Sequence, residues 1–355
     1  MNQPKKIAAI DAGTNSFHLI IVDVKNDGNF EIIDREREVI RLGEGSSGDI
    51  KTINNDAIER AIKTLKRFKG IADSHKAPLR TVATSAVREA HNKNEFIKRV
   101  WDETGVEVEV ISGYEEARLI YLGVLKAVPV FNKKTLVIDI GGGSTEFFLG
   151  RKGNSNYSCS LKIGAVRLTQ KFFPDYIITE SRIKACRKWV EGELYQIAGI
   201  IKTHGFQVCV GSSGTIMSAG LMINSKRNMN GSQNGILNNF EFSKKDLADA
   251  ENEILKRKTI DKRKKIPGLD EKRADIIPAG IIILKTIFDL LELEKMTISG
   301  YALREGIIID TLQKKHLDGI TPNLDNIKKE SIRQISKSCR NDVEHSAHVT
   351  SLALQ

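Results

Sequence analysis

The sequence predicts an α/β protein built from two related halves that face each other. The chain has 355 residues, which is more than one hydrophobic core usually supports and suggests two domains. A strand ending in Asp-x-Gly, a turn with hydroxyl groups and a second strand occur at residues 7–24 and again at 136–150. Asp11 aligns with Asp139, 128 residues further on. Internal repetition of this kind points to a duplicated architecture.

The first half begins with a predicted β-hairpin. Two apolar runs, 7–13 and 17–24, flank a short turn that contains glycine and hydroxyl groups. Residues 55–73 have apolar side chains near helical spacing and predict a helix. Further along, 79–90 predict a strand, a turn and the start of a helix, 106–112 alternate like a strand, and Gly113 begins a helix.

The second half repeats the hairpin and continues as strands and helices. Residues 181–202 predict a helix, and 206–220 predict a strand, a glycine turn and a helix. Residues 222–243 are rich in Asn, Ser and Gly and predict a loop. The remaining predicted elements are an apolar helix within 272–290, a strand–turn–helix unit over 296–310, and a helical pattern over 341–355.

Composition narrows the class of protein. Charged residues make up 28% and hydrophobic residues 40%, which is ordinary for a globular protein. No run of 18 apolar residues predicts a membrane span, and no signal-peptide pattern occurs at the start. The four cysteines lie far apart, which favours reduced thiols over disulfides or zinc and predicts a cytoplasmic protein.

The chain carries a surplus of positive charge. The net charge is +10 and the pI is about 9.3, which favours a polyanionic partner without choosing among nucleic acid, anionic membrane and a phosphate polymer. The densest basic run covers 256–265. A solvated helix end and an anion-binding surface are equally good interpretations of that run.

Glycine turns after buried strands are suited to holding phosphates. A residue without Cβ lets backbone N–H groups approach an anion closely. One such turn alone is more often a tight hairpin, but the repeated turn together with VGSSGT at 210–215 favours a phosphate chain held between two halves.

Several charged side chains lie near these turns. Asp139 ends an apolar strand, and Glu146 follows just across the turn, so the two could flank one Mg²⁺. A solvent-facing position is the alternative for Glu146. Glu115 and Glu116 begin a helix, where acids are favourable in any case, and one of them could polarise water. Arg88 could supply positive charge to the oxygens, or it could be a surface arginine.

Eight motifs follow one another along the chain: IDAGTNSFHLIIVDV, ATSAVREA, VISGYEEARLIYLGV, VIDIGGGSTEF, LKIGAVRLT, VGSSGTI, RADIIPAGIIIL and ISGYALREGII. With these motifs in this order, the chain resembles the Ppx/GppA phosphatase family over residues 7–310. The resemblance implies two ribonuclease-H-like domains of the actin, sugar-kinase and Hsp70 fold group, with a cleft between them. We place the first domain at 1–125, the second at 126–310, and a helical tail at 311–355 that resembles the start of a C-terminal HD-like domain.

The resemblance also implies roles for individual residues. Glu116 corresponds to the catalytic base, and Arg88 to the arginine of the ATSA-x-R motif. Asp139 and Glu146 correspond to acids implicated in Mg²⁺ binding and catalysis, and we add Asp11, the repeat counterpart of Asp139. The expected phosphate-binding residues are Thr14, Asn15, Ser16, Gly141, Gly142, Gly143, Ser144 and Thr145, together with Gly211, Ser212 and Ser213 of the VGSSGT turn.

The predicted function is exopolyphosphatase activity, in which water hydrolyses the terminal phosphoanhydride of inorganic polyphosphate with Mg²⁺ as cofactor. Conversion of pppGpp to ppGpp is the alternative within the same chemistry, because the motifs are shared. A binding module for polyphosphate or an alarmone, and an actin-like ATPase, are the alternatives from other classes. We expect no membrane partner, since no apolar run is long enough to span a bilayer, and no nucleic-acid partner, since aromatic residues are only 6% and no zinc finger is present. A homodimer is left open.

Overall fold

The computed structural model describes residues 6–26, 28–44, 51–227 and 237–314. The first sheet consists of β1 (Lys6–Ala12), β2 (Ser16–Val24), β3 (Phe30–Val39), β4 (Leu79–Ala83) and β5 (Val108–Val110), in the order β3-β2-β1-β4-β5. The first three strands are antiparallel, and β4 and β5 continue the sheet in parallel with β1. The predicted hairpin is therefore confirmed.

The described residues of this half form four helices: α1 (Asn55–Ser74), α2 (Ser85–Glu89), α3 (Lys93–Thr104) and α4 (Gly113–Ala127). The side chain of Asn54 caps α1, and the predicted apolar stripe of that helix is buried. Ser112 caps α4 by accepting a hydrogen bond from the Glu115 N–H. Helix α2 is a single short turn that directly follows β4.

The second sheet repeats the strand order of the first. It consists of β6 (Thr135–Ile140), β7 (Thr145–Arg151), β8 (Asn154–Leu161), β9 (Val208–Ser212), β10 (Glu241–Ser243) and β11 (Lys295–Ile298). The order β8-β7-β6-β9-β11 matches β3-β2-β1-β4-β5, and antiparallel β10 is added at the edge. The duplicated α/β architecture predicted from the sequence is therefore confirmed.

Seven α-helices follow in the described second half of the chain: α5 (Ala165–Phe172), α6 (Glu180–His204), α7 (Ser213–Arg227), α8 (Lys244–Lys256), α9 (Ile260–Lys264), α10 (Ile277–Leu290) and α11 (Leu303–Lys314). A 3₁₀ turn (Glu271–Arg273) precedes α10, and Pro278 lies in the first turn of that helix, where it is tolerated. Among the described helices, none has the length and apolar character needed to cross a membrane.

The two halves are joined by an exchange of helices. Helix α4 packs on β7 and β8 of the second sheet, whereas α11 packs on β1 of the first sheet and against α4. Gly123 makes the α4–α11 approach possible, because a Cβ there would lie 2.1 Å from the Ala302 carbonyl oxygen. One hydrophobic cluster, separate from the cores of the two halves, fills the space between the sheets.

The segment 222–243 differs from its prediction, and the tail beyond residue 314 lies outside the described residues. The loop prediction for 222–243 is wrong at both ends: α7 continues to Arg227 because Met222 and Ile223 are buried, and 241–243 form an edge strand. Residues 228–236 lie outside the described residues. The helical pattern at 341–355, and all of the predicted tail beyond residue 314, also lie outside them, and residues 311–314 belong to α11.

Candidate active site

The two repeated turns meet where the halves face each other. A Cβ on Gly143 would lie 2.6 Å from Ser85 Oγ and 2.7 Å from Thr14 Oγ1, so only glycine allows this contact. Beside the contact lies a cavity of about 350 Å³. Its walls come from both turns, from the start of α4 and α7, and from the segments before α10 and α11.

Four acidic side chains cluster at this place. Asp11 and Asp139 end β1 and β6, Glu116 lies in the first turn of α4, and Glu146 lies opposite Asp139 in the β6–β7 register. The pKa of Asp11 is raised to about 7: burial is the largest cause, Arg304 opposes the rise, and the carboxylates of Glu116 and Asp139 add to it. Like charges confined in one buried site are typical of a functional centre.

Glu116 is held by an arginine from α2. Arg88 Nη1 donates to Glu116 Oε2 at 2.9 Å and to the Ile111 carbonyl oxygen at 3.0 Å. Burial raises the pKa of Glu116 to about 7, while Arg88 opposes the rise. Glu115, the neighbouring acid, is instead engaged by Arg118 at 2.7 Å. The structure thus separates the two glutamates, and of the two only Glu116 lines the cavity.

Asp139 and Glu146 have hydroxyl partners. Ser212 Oγ donates to Asp139 Oδ2 at 2.6 Å, and Ser160 Oγ donates to Glu146 Oε1 at 2.8 Å. Burial raises the pKa of both acids, and for Glu146 the charges of Glu116 and Asp139 add to the effect. Glu146 is 2% exposed, so the solvent-facing alternative for this residue is wrong.

The β6–β7 turn directs its backbone amides away from α5. The carbonyl oxygens of Gly141 and Gly142 accept hydrogen bonds from N–H groups at the start of α5, and Arg167 Nε donates to the Gly143 carbonyl at 2.8 Å. Because N–H and C=O point in opposite directions across a trans peptide, the N–H groups of the next residues, Gly142, Gly143 and Ser144, point away from α5. Three N–H groups on one side of a turn are suited to binding an anion.

Most of the expected phosphate-binding residues line the cavity: Thr14, Asn15, Ser16, Gly141, Gly142, Gly143, Ser144 and Ser213. Three have other contacts. Thr145 Oγ1 donates to the Ile163 carbonyl, Ser212 bonds to Asp139, and Gly211 faces Met296 and Ile216. Ser213 has a positive φ of 68°, a strained conformation for a non-glycine residue, and strain of this kind is common at functional sites.

The positive side of the cavity was not predicted from the sequence. Arg35, Arg37, Arg273 and Arg304 line it together with His18, the repeat counterpart of Glu146. Arg37 Nη1 pairs with Asp270 at 2.6 Å, while its Nε and Nη2 are shielded from water and have no hydrogen-bond partner. Burial lowers the pKa of Arg273 to about 10, and Arg37 contributes to the change.

A sequence signal for these arginines was available only in part. Arg273 and Arg304 belong to motifs quoted above, RADIIPAG and ISGYALREG, but no chemistry was assigned to them. Arg35 and Arg37 alternate with acids along β3, which predicts an ordinary solvated strand.

Burial also lowers the pKa of His18 well below its ordinary value, and the arginines around it add to the effect.

The donor chemistry of the site fits Mg²⁺ held by few protein ligands. Among the described residues, no three His, Cys, Asp or Glu side chains are arranged as a complete ligand set. Mg²⁺ usually takes one or two carboxylates and fills its other positions with water and substrate phosphates. Asp11 and Asp139 line the cavity, whereas Glu146 is not among its lining residues. A cation beside the two aspartates would offset the cost of burying their charges, which is the main cause of their raised pKa values.

The duplicated sheets and the cleft between them define a protein of the actin, sugar-kinase and Hsp70 fold class. Within that class the chain belongs to the Ppx/GppA phosphatase family, whose family model matches residues 20–315. The resemblance read from the sequence motifs is therefore confirmed, and the family acts on phosphoanhydrides.

Solved structures agree with this assignment. An exopolyphosphatase from Cytophaga hutchinsonii is 32% identical over 89% of this chain and 98% of its own, with a TM-score of 0.78. The Ppx/GppA family member from Aquifex aeolicus is 29% identical over 88% of this chain and 98% of its own, with a TM-score of 0.72.

Proposed function

We propose that the protein is an exopolyphosphatase that removes terminal orthophosphate from inorganic polyphosphate. The observation that carries the proposal is the composition of the cavity between the halves. A buried carboxylate with a pKa near neutrality, two turns that present hydroxyl and amide groups, and several arginines all face one space. Hydrolysis of a phosphoanhydride needs a base, a positioned water and compensation of negative charge.

Glu116 is the proposed base. It orients the attacking water and accepts its proton, and a pKa of about 7 leaves a useful fraction of the carboxylate ionised near neutral pH. Arg88 holds one oxygen of Glu116 and so fixes the direction of the other. The water oxygen forms a bond to the terminal phosphorus while the bond from phosphorus to the bridging oxygen breaks. The shortened polyphosphate leaves with the negative charge.

Two sets of groups around the cavity can compensate the negative charge of the substrate. The amides of the β6–β7 turn and the hydroxyl groups of the β1–β2 turn are suited to the terminal phosphate. Arg37, Arg273 and Arg304 are suited to the phosphates that follow it. Guanidinium groups bind phosphate through planar pairs of N–H groups, and these remain charged at neutral pH.

Mg²⁺ is the proposed cofactor, with Asp11 and Asp139 as the protein ligands and Glu146 behind them. When bound, the ion would neutralise phosphate oxygens and hold substrate in place. The residues of the chain then act as described above: they bind the phosphates, orient the water and take its proton.

Polyphosphate is favoured over pppGpp by the lining of the cavity. Among its described lining residues there is no Phe, Tyr or Trp on which a guanine base could stack, and the apolar contribution comes from aliphatic residues such as Ile120, Met217 and Leu221. The phosphate chemistry itself is the same for both substrates. A dimer and a cytoplasmic location stay predictions.

The test is orthophosphate release from long polyphosphate, tripolyphosphate, pppGpp and ATP at equal terminal-phosphate concentration, with Mg²⁺ and with a chelator. We expect polyphosphate to be preferred, Mg²⁺ to be required, and Glu116→Gln to lose at least about 100-fold in kcat while still binding tripolyphosphate. Glu115→Gln is the matched control and should keep its activity. Preference for pppGpp would make the protein an alarmone phosphatase. Binding without turnover, or turnover of ATP alone, would contradict the proposal.

A further inference from the structure

Glu89 is an acid beside the site to which the sequence analysis assigned no role. It ends the short helix α2, next to Arg88. Its Oε1 accepts hydrogen bonds from Ser85 Oγ at 2.8 Å and from Arg167 Nη2 at 2.9 Å, and its Oε2 lies 3.1 Å from Lys162 Nζ. Ser85 belongs to the first half of the molecule, whereas Arg167 and Lys162 belong to the second. Glu89 therefore joins the two halves.

Arg167 connects Glu89 to the β6–β7 turn at residues 141–144, which is called the phosphate-holding turn because it is proposed to hold the terminal phosphate. The residue lies in the first turn of α5 and is 3% exposed. While Nη2 bonds to Glu89, Nε donates to the carbonyl oxygen of Gly143. That carbonyl belongs to the same peptide plane as the Ser144 N–H. Fixing the carbonyl therefore fixes the direction of the N–H on the opposite side of the plane.

Two adjacent residues of helix α2 thus contact both the proposed base and the arginine that holds the phosphate-holding turn. Arg88 bonds to the base Glu116 in the first half, and Glu89 bonds through Arg167 to the turn of the second half. The distance between a base and the donors that hold the phosphate decides whether an attacking water is in line. A misplacement of about 1 Å can cost a hundredfold in rate.

We infer that Glu89 and Arg167 form a positioning pair that sets the spacing between Glu116 and the phosphate-holding turn 141–144. The inference rests on the proposed function, since it assigns the pair to phosphoanhydride hydrolysis at this site. Neither side chain lines the cavity, and both act through groups that do. The pair is complete only when the two halves are closed together.

The test uses Arg167→Lys and Glu89→Gln, with Arg187→Lys as the matched control. Lysine keeps the positive charge, so folding should be retained. Its single ammonium group cannot replace the guanidinium group, which bonds to Gly143 through Nε and to Glu89 through Nη2. Arg187 forms a comparable part-buried pair with Glu251, at 2.6 Å, between α6 and α8. We expect each of the first two variants to lose about 10- to 100-fold in kcat with less than about a threefold change in KM. The double variant should lose no more than the worse single variant.

A second measurement keeps the inference separate from the proposed function. Protein labelled with ¹⁵N-serine is titrated with tripolyphosphate, and the Ser144 amide signal is followed. The signal should move in the wild type and in Arg187→Lys, and it should respond at least about threefold less in Arg167→Lys. If no substrate is hydrolysed by the wild type, the proposed function fails and this titration still decides the role of the pair. Unchanged kcat and an unchanged Ser144 response in Arg167→Lys would overturn the inference, as would losses that match those of Arg187→Lys.

Discussion

The charge state of Glu116 depends on one neighbouring guanidinium. Burial and the charge of Asp139 favour the protonated form, and Arg88 favours the ionised form. The sequence placed both residues near the turns but could not show that they bond to each other, because they are 28 residues apart. Their pairing depends on β4 and β5 lying side by side, which brings α2 and the start of α4 together.

The pH dependence of turnover should report this balance. The base must be ionised, so kcat of the wild type should rise with pH through about 7. Arg88→Gln removes the group that lowers the pKa, so the rising limb should move to higher pH by about one unit, whatever the loss in amplitude. Arg88→Lys keeps the charge and should restore much of the profile. Arg118→Gln, which removes the partner of the adjacent Glu115, is the control and should leave the limb in place. If the rising limb of kcat does not move in Arg88→Gln, the pH dependence of kcat does not report the ionisation of Glu116.

At the scale of elements, the sequence predicted the strands and most helices because their apolar periodicity is local information. The basic run 256–265 shows where that information ends. Arg263 of this run is fully buried and donates to the carbonyl oxygens of Ala274, Arg257 and Tyr176. It therefore holds neighbouring loops together, and replacing it would test folding rather than anion binding. No local pattern distinguishes it from the solvated lysines beside it.

The contact between the two turns can be tested through glycine. A Cβ on Gly143 would meet Ser85 and Thr14 of the opposite half, so Gly143→Ala should push the halves apart. Overpacking of this kind costs about 1–3 kcal/mol, and we expect a lower Tm together with at least about a tenfold loss in kcat. Gly192 on α6 has open space around its Cβ position and is the matched control. Gly192→Ala should raise stability by about 0.5–1 kcal/mol and leave kcat unchanged. Full activity in Gly143→Ala would mean that the turns need not touch during turnover.

At the scale of the whole molecule, the duplicated order of the sheets was readable from the repeat, whereas the contacts that close the cleft were not. These contacts join β3 and the residues after it to the segment before α10. Arg37 pairs with Asp270 at 2.6 Å, and Arg41 pairs with Asp275 at 2.8 Å. More than 200 positions separate the partners along the chain. Only the finished fold brings these partners together, so no spacing in the sequence predicts the two ion pairs.

These two ion pairs should control how far the halves open. Such partly exposed pairs contribute up to about 1 kcal/mol each, so removing both carboxylates should favour the open form by up to about 30-fold. We expect Asp270→Asn/Asp275→Asn to increase the radius of gyration measured by small-angle X-ray scattering without substrate. Tripolyphosphate should reverse the increase, because Arg37 keeps its unpaired Nε and Nη2 for a phosphate held by the turns of the two halves. Asp175→Asn, which breaks a surface pair with Arg182 inside the second half, should leave the radius unchanged. A double variant as compact as the wild type would show that other contacts between the halves, such as the buried core between the sheets and the Glu89–Arg167 pair, hold the cleft closed.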